Sequence, residues 1–403
     1  MHSGTALSCT ASKSLLPKHR LRFFPFWASQ VPSLLIKWNL RASPSFYRPI
    51  SNTMSPHLLL LLLLLLLSVS SLVPAARIPA VIVFGDSTVD SGNNNQIATV
   101  LKSNFHPYGR DFIGGRPTGR FCNGRLPTDL ISEALGLPPS VPAYLDPAYS
   151  IRDFAHGVCF ASAGTGLDNA TSDVLNVIPL WKEVEYFKDY QKKLRRYVGR
   201  AKAKYIVNEA VYIISIGTND FLENYYSLVT GRFGQFSIGE FEDFLMDRAA
   251  EFLTRIYNLG ARKISFAGLS AIGCVPLERS TNIQQGGACV EKYNKVARDF
   301  NAKLQALIGR LDASLPGFKL RYLATYDTLL EIIQNPSPYG IENVEDGCCG
   351  SGKFEMGYLC NDLDPQTCQD AEKYVFWDAF HPTEKVNRVM ANLTLRTSLS
   401  EFV

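Results

Sequence analysis

Short β-branched runs alternating with amphipathic helical stretches predict an α/β protein, a three-layer α/β/α sandwich on a mostly parallel sheet. Three observations carry this. Ala80–Phe84, Ala210–Ile216, Lys263–Ala267 and Lys319–Leu323 are short, nearly continuous apolar or alternating runs bounded by Gly, Asp or Pro, as buried strands are. Helical periodicity separates them. No internal repeat or long linker divides the chain after residue 76, so a single domain over 76–403 is expected.

The helices follow from the spacing of their apolar residues. Trp181, Val184, Phe187, Leu194 and Val198 share one face of a helix over about 181–199. Phe241, Phe244, Leu245, Phe252 and Ile256 do the same ahead of Gly260, which reads as a C-terminal stop. A long helix is expected over about 288–312, with Val296, Phe300, Leu304, Leu307 and Leu311 inward. A last one begins after Pro382 and carries Val386, Val389, Met390 and Leu393.

The N-terminal region has a different character. Ten leucines from Leu58 to Leu67 lead into Ser68–Ala76, a short apolar block closed by small residues. That is the pattern of a secretory signal over 54–75, cleaved near Ala75. The run is shorter than the roughly 20 residues that span a bilayer, so no stable membrane anchor is expected. Residues 1–53 read as an unstructured extension ahead of a start at Met54, or as a transit-like segment. Residues 1–76 hold seven Lys/Arg and no acidic residue, leaving 34 Lys/Arg against 37 Asp/Glu in the remainder. A body so near neutrality makes no electrostatic case for nucleic acid.

Eight of the nine cysteines follow the signal: Cys122, Cys159, Cys274, Cys289, Cys348, Cys349, Cys360 and Cys368. An even number in an exported chain points to disulfides. Zinc is disfavoured, because no pair has C-x-x-C spacing. Asn169-Ala170-Thr171 and Asn392-Leu393-Thr394 are glycosylation sequons, the first favoured because Asn392 falls in an expected helix.

In parallel sheets, ligands sit outside the carboxyl ends of the strands. The loops there carry the candidate chemistry. Ser87 follows the first strand in a Gly-Asp-Ser turn, where glycine permits the bend that lifts a hydroxyl from the sheet; capping of a helix is the commoner role for such a serine. A serine nucleophile needs a base. Of His106, His156 and His381, only the last has a carboxylate in register. Asp378, three residues before it in a turn closed by Pro382, can fold back onto Nδ1 and leave Nε2 free for serine; alternatively Asp378 caps the final helix. Asn219, in Gly217–Asp220, can donate to an oxyanion or be a plain turn residue. The small-residue loop Ala161–Gly166 allows backbone N–H groups to approach a substrate.

Four separated blocks stand in one order: Phe84–Asn94, Phe160–Gly164, Gly217–Asp220 and Phe376–Glu384. Together they resemble the plant-type GDSL esterase/lipase family of the SGNH hydrolases, from about Val81 to Leu395. The resemblance implies a flavodoxin-like sheet, no cofactor, and a secreted serine esterase or lipase. In it Ser87 is the nucleophile, His381 the base and Asp378 its orienting partner. The Ser87 and Gly164 amides and the Asn219 side chain donate to the oxyanion. Many relatives carry Gly at the position of Ala163, so Ala163 competes with Gly164 as donor. The substrates implied are lipid, cutin-related, acetylated-sugar or small phenolic esters. An acyltransferase with the same triad, or a non-catalytic lipid- or glycan-binding protein, are the alternatives. Many relatives also lack cysteine at 122 and 159, and the other six can pair among themselves. A Cys122–Cys159 bridge, tethering the loop before Gly164, is therefore expected.

Two motifs are set aside. Gly347–Lys353 fits G-x-x-x-x-G-K, but Phe354 stands where Ser/Thr is required. Gly268-Leu269-Ser270-Ala271-Ile272 lacks the closing Gly of a nucleophile elbow.

Overall fold

In chain order the principal elements are β1 (Val81–Gly85), α1 (Pro127–Ala134), β2 (Gly157–Cys159), α2 (Leu180–Val198), α3 (Arg200–Glu209), β3 (Val211–Ser215), α4 (Ile238–Asn258), β4 (Lys263–Ala267), α5 (Glu291–Ser314), β5 (Lys319–Leu323), α6 (Thr325–Gln334), β6 (Asn343–Gly347), β7 (Tyr374–Phe376) and α7 (Glu384–Arg396). This computed structural model describes residues 78–227 and 231–402, with His57. The expected signal over 54–75 and the extension over 1–53 otherwise lie outside the described residues.

The five strands β1–β5 form one parallel sheet in the order β2-β1-β3-β4-β5. That is the flavodoxin-like order, with its switch point at β1 between β2 and β3. Alternation along β1 explains the two covered faces. Ile82 and Phe84 point into a core shared with Phe187 of α2, Phe252 of α4 and Phe300 of α5. Val81 and Val83 point the other way, into a smaller core with Leu130 and Ile131 of α1 and Ala391 of α7. Helices on both faces of a parallel sheet make the three-layer α/β/α sandwich.

Helix α4 shows why these residues form these elements. Ser237 caps it by accepting from Glu240 N–H, and the Glu240 carboxylate returns to Ser237 N–H at 2.8 Å. Phe241, Leu245, Ala249, Phe252 and Ile256 recur along one buried face, each large side chain stabilising by roughly 1.5–3 kcal/mol on burial. The helix ends where Gly260, at φ +110°, turns the chain toward β4.

The four anticipated strands and four helices are present, β4 and β5 at the expected bounds and the others with boundaries shifted by one to three residues. Asn169 and Asn392 are both exposed, and each lies in a helix.

The cysteine pairing differs in part from expectation. Cys274–Cys289, Cys348–Cys368 and Cys349–Cys360 are bridged, as six cysteines pairing among themselves. The expected Cys122–Cys159 bridge is absent: both are buried free thiols. Their surroundings explain this. Cys159 ends β2, its side chain in the smaller core, and donates to Val89 O at 3.2 Å. Cys122 Sγ accepts from Gly124 N–H and from Asn387 Nδ2 of α7. Each sulfur already has its own set of partners. Burial pushes the Cys159 thiol up to about 12 and that of Cys122 higher still. Thiol titration of the native protein without reductant should detect neither, and after denaturation should detect two per chain begun at Met54. A denatured chain with no titratable thiol would restore the bridge.

Candidate active site

The first turn after β1 is shaped by a close approach. A Cβ on Gly85, at φ +136°, would lie 1.9 Å from Ser215 O of β3, so only glycine fits. Gly85 N–H donates to Glu183 of α2 at 3.0 Å. Glu183 is fully buried, and burial raises its carboxyl well above the usual range. Asp86 N–H donates to Ser215 O, while the Asp86 carboxylate accepts from Thr88 N–H and Oγ1. Burial pushes Asp86 up to about 6. Ser87 is thereby held at the carboxyl end of β1.

The structure brings Ser87, His381 and Asp378 together. Ser87 Oγ is 2.8 Å from His381 Nε2, and His381 Nδ1 is 2.9 Å from Asp378 Oδ2. Asp378 is fully buried. Its Oδ1 accepts from Phe380 N–H at 2.8 Å and His381 N–H at 2.7 Å, the local fold-back that the three-residue spacing allows. Asp378 does not cap the final helix; Thr383 does. His156 lies at the opposite end of the sheet, beside a hollow of about 580 Å³ that holds none of these groups.

Tyr108 was not anticipated. It is fully buried, donates to Asp378 Oδ2 at 2.7 Å, and accepts from Gly357 N–H at 2.9 Å. Its distance along the chain from Asp378 left no local signal in the sequence. The set-aside Gly347–Lys353 segment is also explained. Cys348 and Cys349 are both bridged, and their N–H groups donate to Phe376 O and Trp377 O. This stapled loop braces the Asp378 turn and forms no phosphate cradle.

A pocket of about 150 Å³ opens onto Ser87 and His381, lined also by Leu101, Gly164, Asn219 and Phe380. Asn219 Nδ2 donates to Thr165 O at 3.0 Å, which fixes the amide and leaves its second N–H available. Gly164, at φ +89°, presents an N–H with no acceptor among the described residues, as does Ser87. Ala163 N–H is occupied: it donates to Asp90 Oδ2 at 3.0 Å. Geometry thus favours Gly164 over Ala163.

The same contacts show why the sequence blocks occur together. Asp90 takes Gly92, Asn93 and Ala163 N–H groups, and burial raises it to about 6. Asn93 donates to Cys159 O and Ala161 O, and Asn94 to Ala163 O. Asp220, raised by burial to about 7, accepts from Leu167 and Asp168 N–H. The first block therefore holds the second, and the third holds the residues that follow it, Thr165 to Asp168.

Comparison with known proteins shows the family. Residues 81–394 match the family model described as GDSL-like lipase/acylhydrolase. Two Arabidopsis thaliana proteins, each named a GDSL esterase/lipase, are 60% and 57% identical to the chain. The first alignment covers 81% of this chain and 93% of the relative, the second 84% and 95%. A third GDSL esterase/lipase of the same plant is 55% identical, over 83% of this chain and 95% of its own length. The chain therefore belongs to the GDSL-like lipase/acylhydrolase family, a family of ester hydrolases.

Proposed function

We propose that this ester hydrolase is a secreted esterase or lipase acting through a Ser-His-Asp acyl-enzyme mechanism. The observation that carries the reading is the hydrogen-bonded line from Ser87 Oγ through the His381 ring to Asp378, facing a pocket with three available N–H donors. His381 Nε2 takes the Ser87 proton as Oγ attacks the ester carbonyl. The oxyanion rests on Ser87 N–H, Gly164 N–H and Asn219 Nδ2. His381 returns the proton to the departing alcohol. It then deprotonates a water, which releases the acid and restores Ser87. Asp378 keeps Nδ1–H fixed and offsets the imidazolium charge.

Asn219→Ala tests the oxyanion assignment. The lost donor should lower kcat by about 10²–10³-fold on p-nitrophenyl acetate. KM should change little, because the bond strengthens only as negative charge develops. An unchanged kcat would make Asn219 a turn residue.

Three disulfides support export, since such bonds persist in oxidising compartments. Chain expressed from Met54 is expected in the medium with Ala76 or Arg77 first, as N-terminal sequencing reads. Secreted protein that keeps residues before Met54 would overturn this start. Asn169 and Asn392, both exposed, are the two candidate glycan sites on that exported chain.

A further inference from the structure

A second cavity, of about 120 Å³, lies behind the catalytic turn, between the sheet and helices α1 and α7. It runs beneath the carboxyl ends of β3, β4 and β5. Ile131, Ile213, Leu323, Leu329 and Met390 give it an apolar wall. Its near end is formed by Thr88, Thr218 and Pro382, the immediate neighbours of Ser87, Asn219 and His381. One side chain, Phe380, lines both this cavity and the pocket that opens onto Ser87. The Phe380 ring stands beside that of His381, with centroids 5.3 Å apart.

Well-packed interiors leave few voids larger than a water molecule, because lining atoms without neighbours lose their dispersion contacts. An apolar void directly behind a nucleophile suits a ligand that is apolar, slender and attached to the reacting centre. We propose that this cavity is an acyl-chain site. In this reading, which rests on the acyl-enzyme mechanism above, the distal carbons of a linear fatty acyl group pass Phe380 and lie between the sheet and α7. The acyl group is the right half of the ester for an interior site. It stays bonded to Ser87 through both steps, whereas the alcohol must leave and water must enter through the open mouth.

Size sets the chain length. A dry apolar cavity of about 150 Å³ holds one benzene-sized group, so the pocket and the cavity together take about ten carbons. Phe380 then divides short from medium-length substrates: acetate and hexanoate fit in front of it, and decanoate needs the space behind.

The test is kcat/KM for p-nitrophenyl acetate, hexanoate and decanoate with the purified secreted chain and two filled variants, Ile131→Phe and Leu329→Phe. The two substitutions lie on different helices, so a folding failure in one leaves the other, with near-ultraviolet circular dichroism as the check. Filling should lower decanoate turnover by about tenfold or more while acetate and hexanoate change less than about twofold. Acetate and decanoate falling together, or decanoate unaffected in a folded variant, would overturn the site. Binding of sodium decanoate to Ser87→Ala protein, read by calorimetry, separates this proposal from the mechanism. Binding that is lost on adding Ile131→Phe supports the cavity even where no ester is turned over, and no binding counts against it. A wild-type protein inert toward all three esters counts against the mechanism alone.

Discussion

Ser87→Ala is expected to reduce kcat on p-nitrophenyl acetate by about 10⁶-fold, the scale set by removing a triad serine elsewhere. It should also abolish labelling by a fluorophosphonate probe. Alanine removes the hydroxyl proposed to attack, the Oγ 2.8 Å from His381 Nε2. The donors at Gly164 and Asn219 remain, so the variant should retain the small rate that binding and oxyanion stabilisation supply without a nucleophile. Stability should hardly change, because among the described residues Ser87 Oγ has no hydrogen-bond partner other than that imidazole nitrogen, and the backbone turn is held by Gly85 and Asp86. Loss of activity with an unaltered melting curve is the informative result. Labelling that persists in the variant would point to another serine and sink the assignment.

Asp378→Asn should lower kcat by about 10⁴-fold with KM nearly unchanged. The carboxylate is surrounded by donors: Phe380 N–H and His381 N–H at Oδ1, Tyr108 O–H at Oδ2, and His381 Nδ1 between them. The two backbone N–H groups require an acceptor at Oδ1. The asparagine amide nitrogen is then forced to the Oδ2 side, where it faces His381 Nδ1 and the Tyr108 oxygen. Nδ1 must accept there, the ring proton moves to Nε2, and Nε2 can no longer take the Ser87 proton. Nitrogen-15 NMR of the imidazole reads the tautomer directly. A variant with wild-type kcat, or one whose Nε2 stays unprotonated, would show that Asp378 does not orient the base.

Local signals were legible in the chain because the forces behind them act over a few residues. A run such as Val211–Ile214 is apolar without interruption because both faces of its strand are covered. The faces of α2 and α4 are written at helical spacing. By contrast, β2 is only three residues long and carries too little periodicity to be seen. α1 opens with Pro127 at its first position and lacks a side-chain cap, so its start reads as a loop. β6 and β7 pair with one another across a disulfide-stapled loop; β6 is largely polar and β7 is only three residues long.

The candidate site divides in the same way. Its blocks were readable because glycine beside a nucleophile, Asp three residues before His, and Gly-Thr-Asn-Asp after a strand are each local chemistry. Their geometry was not readable. Whether Ala163 or Gly164 donates depends on Asp90, which lies 73 residues from Ala163 and takes its N–H. The support of Asp378 by Tyr108 spans 270 residues. That one ring, Phe380, lines both the pocket at Ser87 and a second apolar cavity was equally invisible in the sequence.

The sequence by itself determined the fold class and four of the five strands of the main sheet, because these depend on hydrophobic periodicity and short-range spacing. Only the tertiary structure decided which amide is available, which cysteines meet and where space remains beside the serine. Those outcomes depend on which distant atoms compete for each hydrogen-bond donor, thiol and volume. Cys122 and Cys159 show the difference: their number suggested a bridge, but the fold surrounds each sulfur with separate partners, and a disulfide forms only where two sulfurs are brought together.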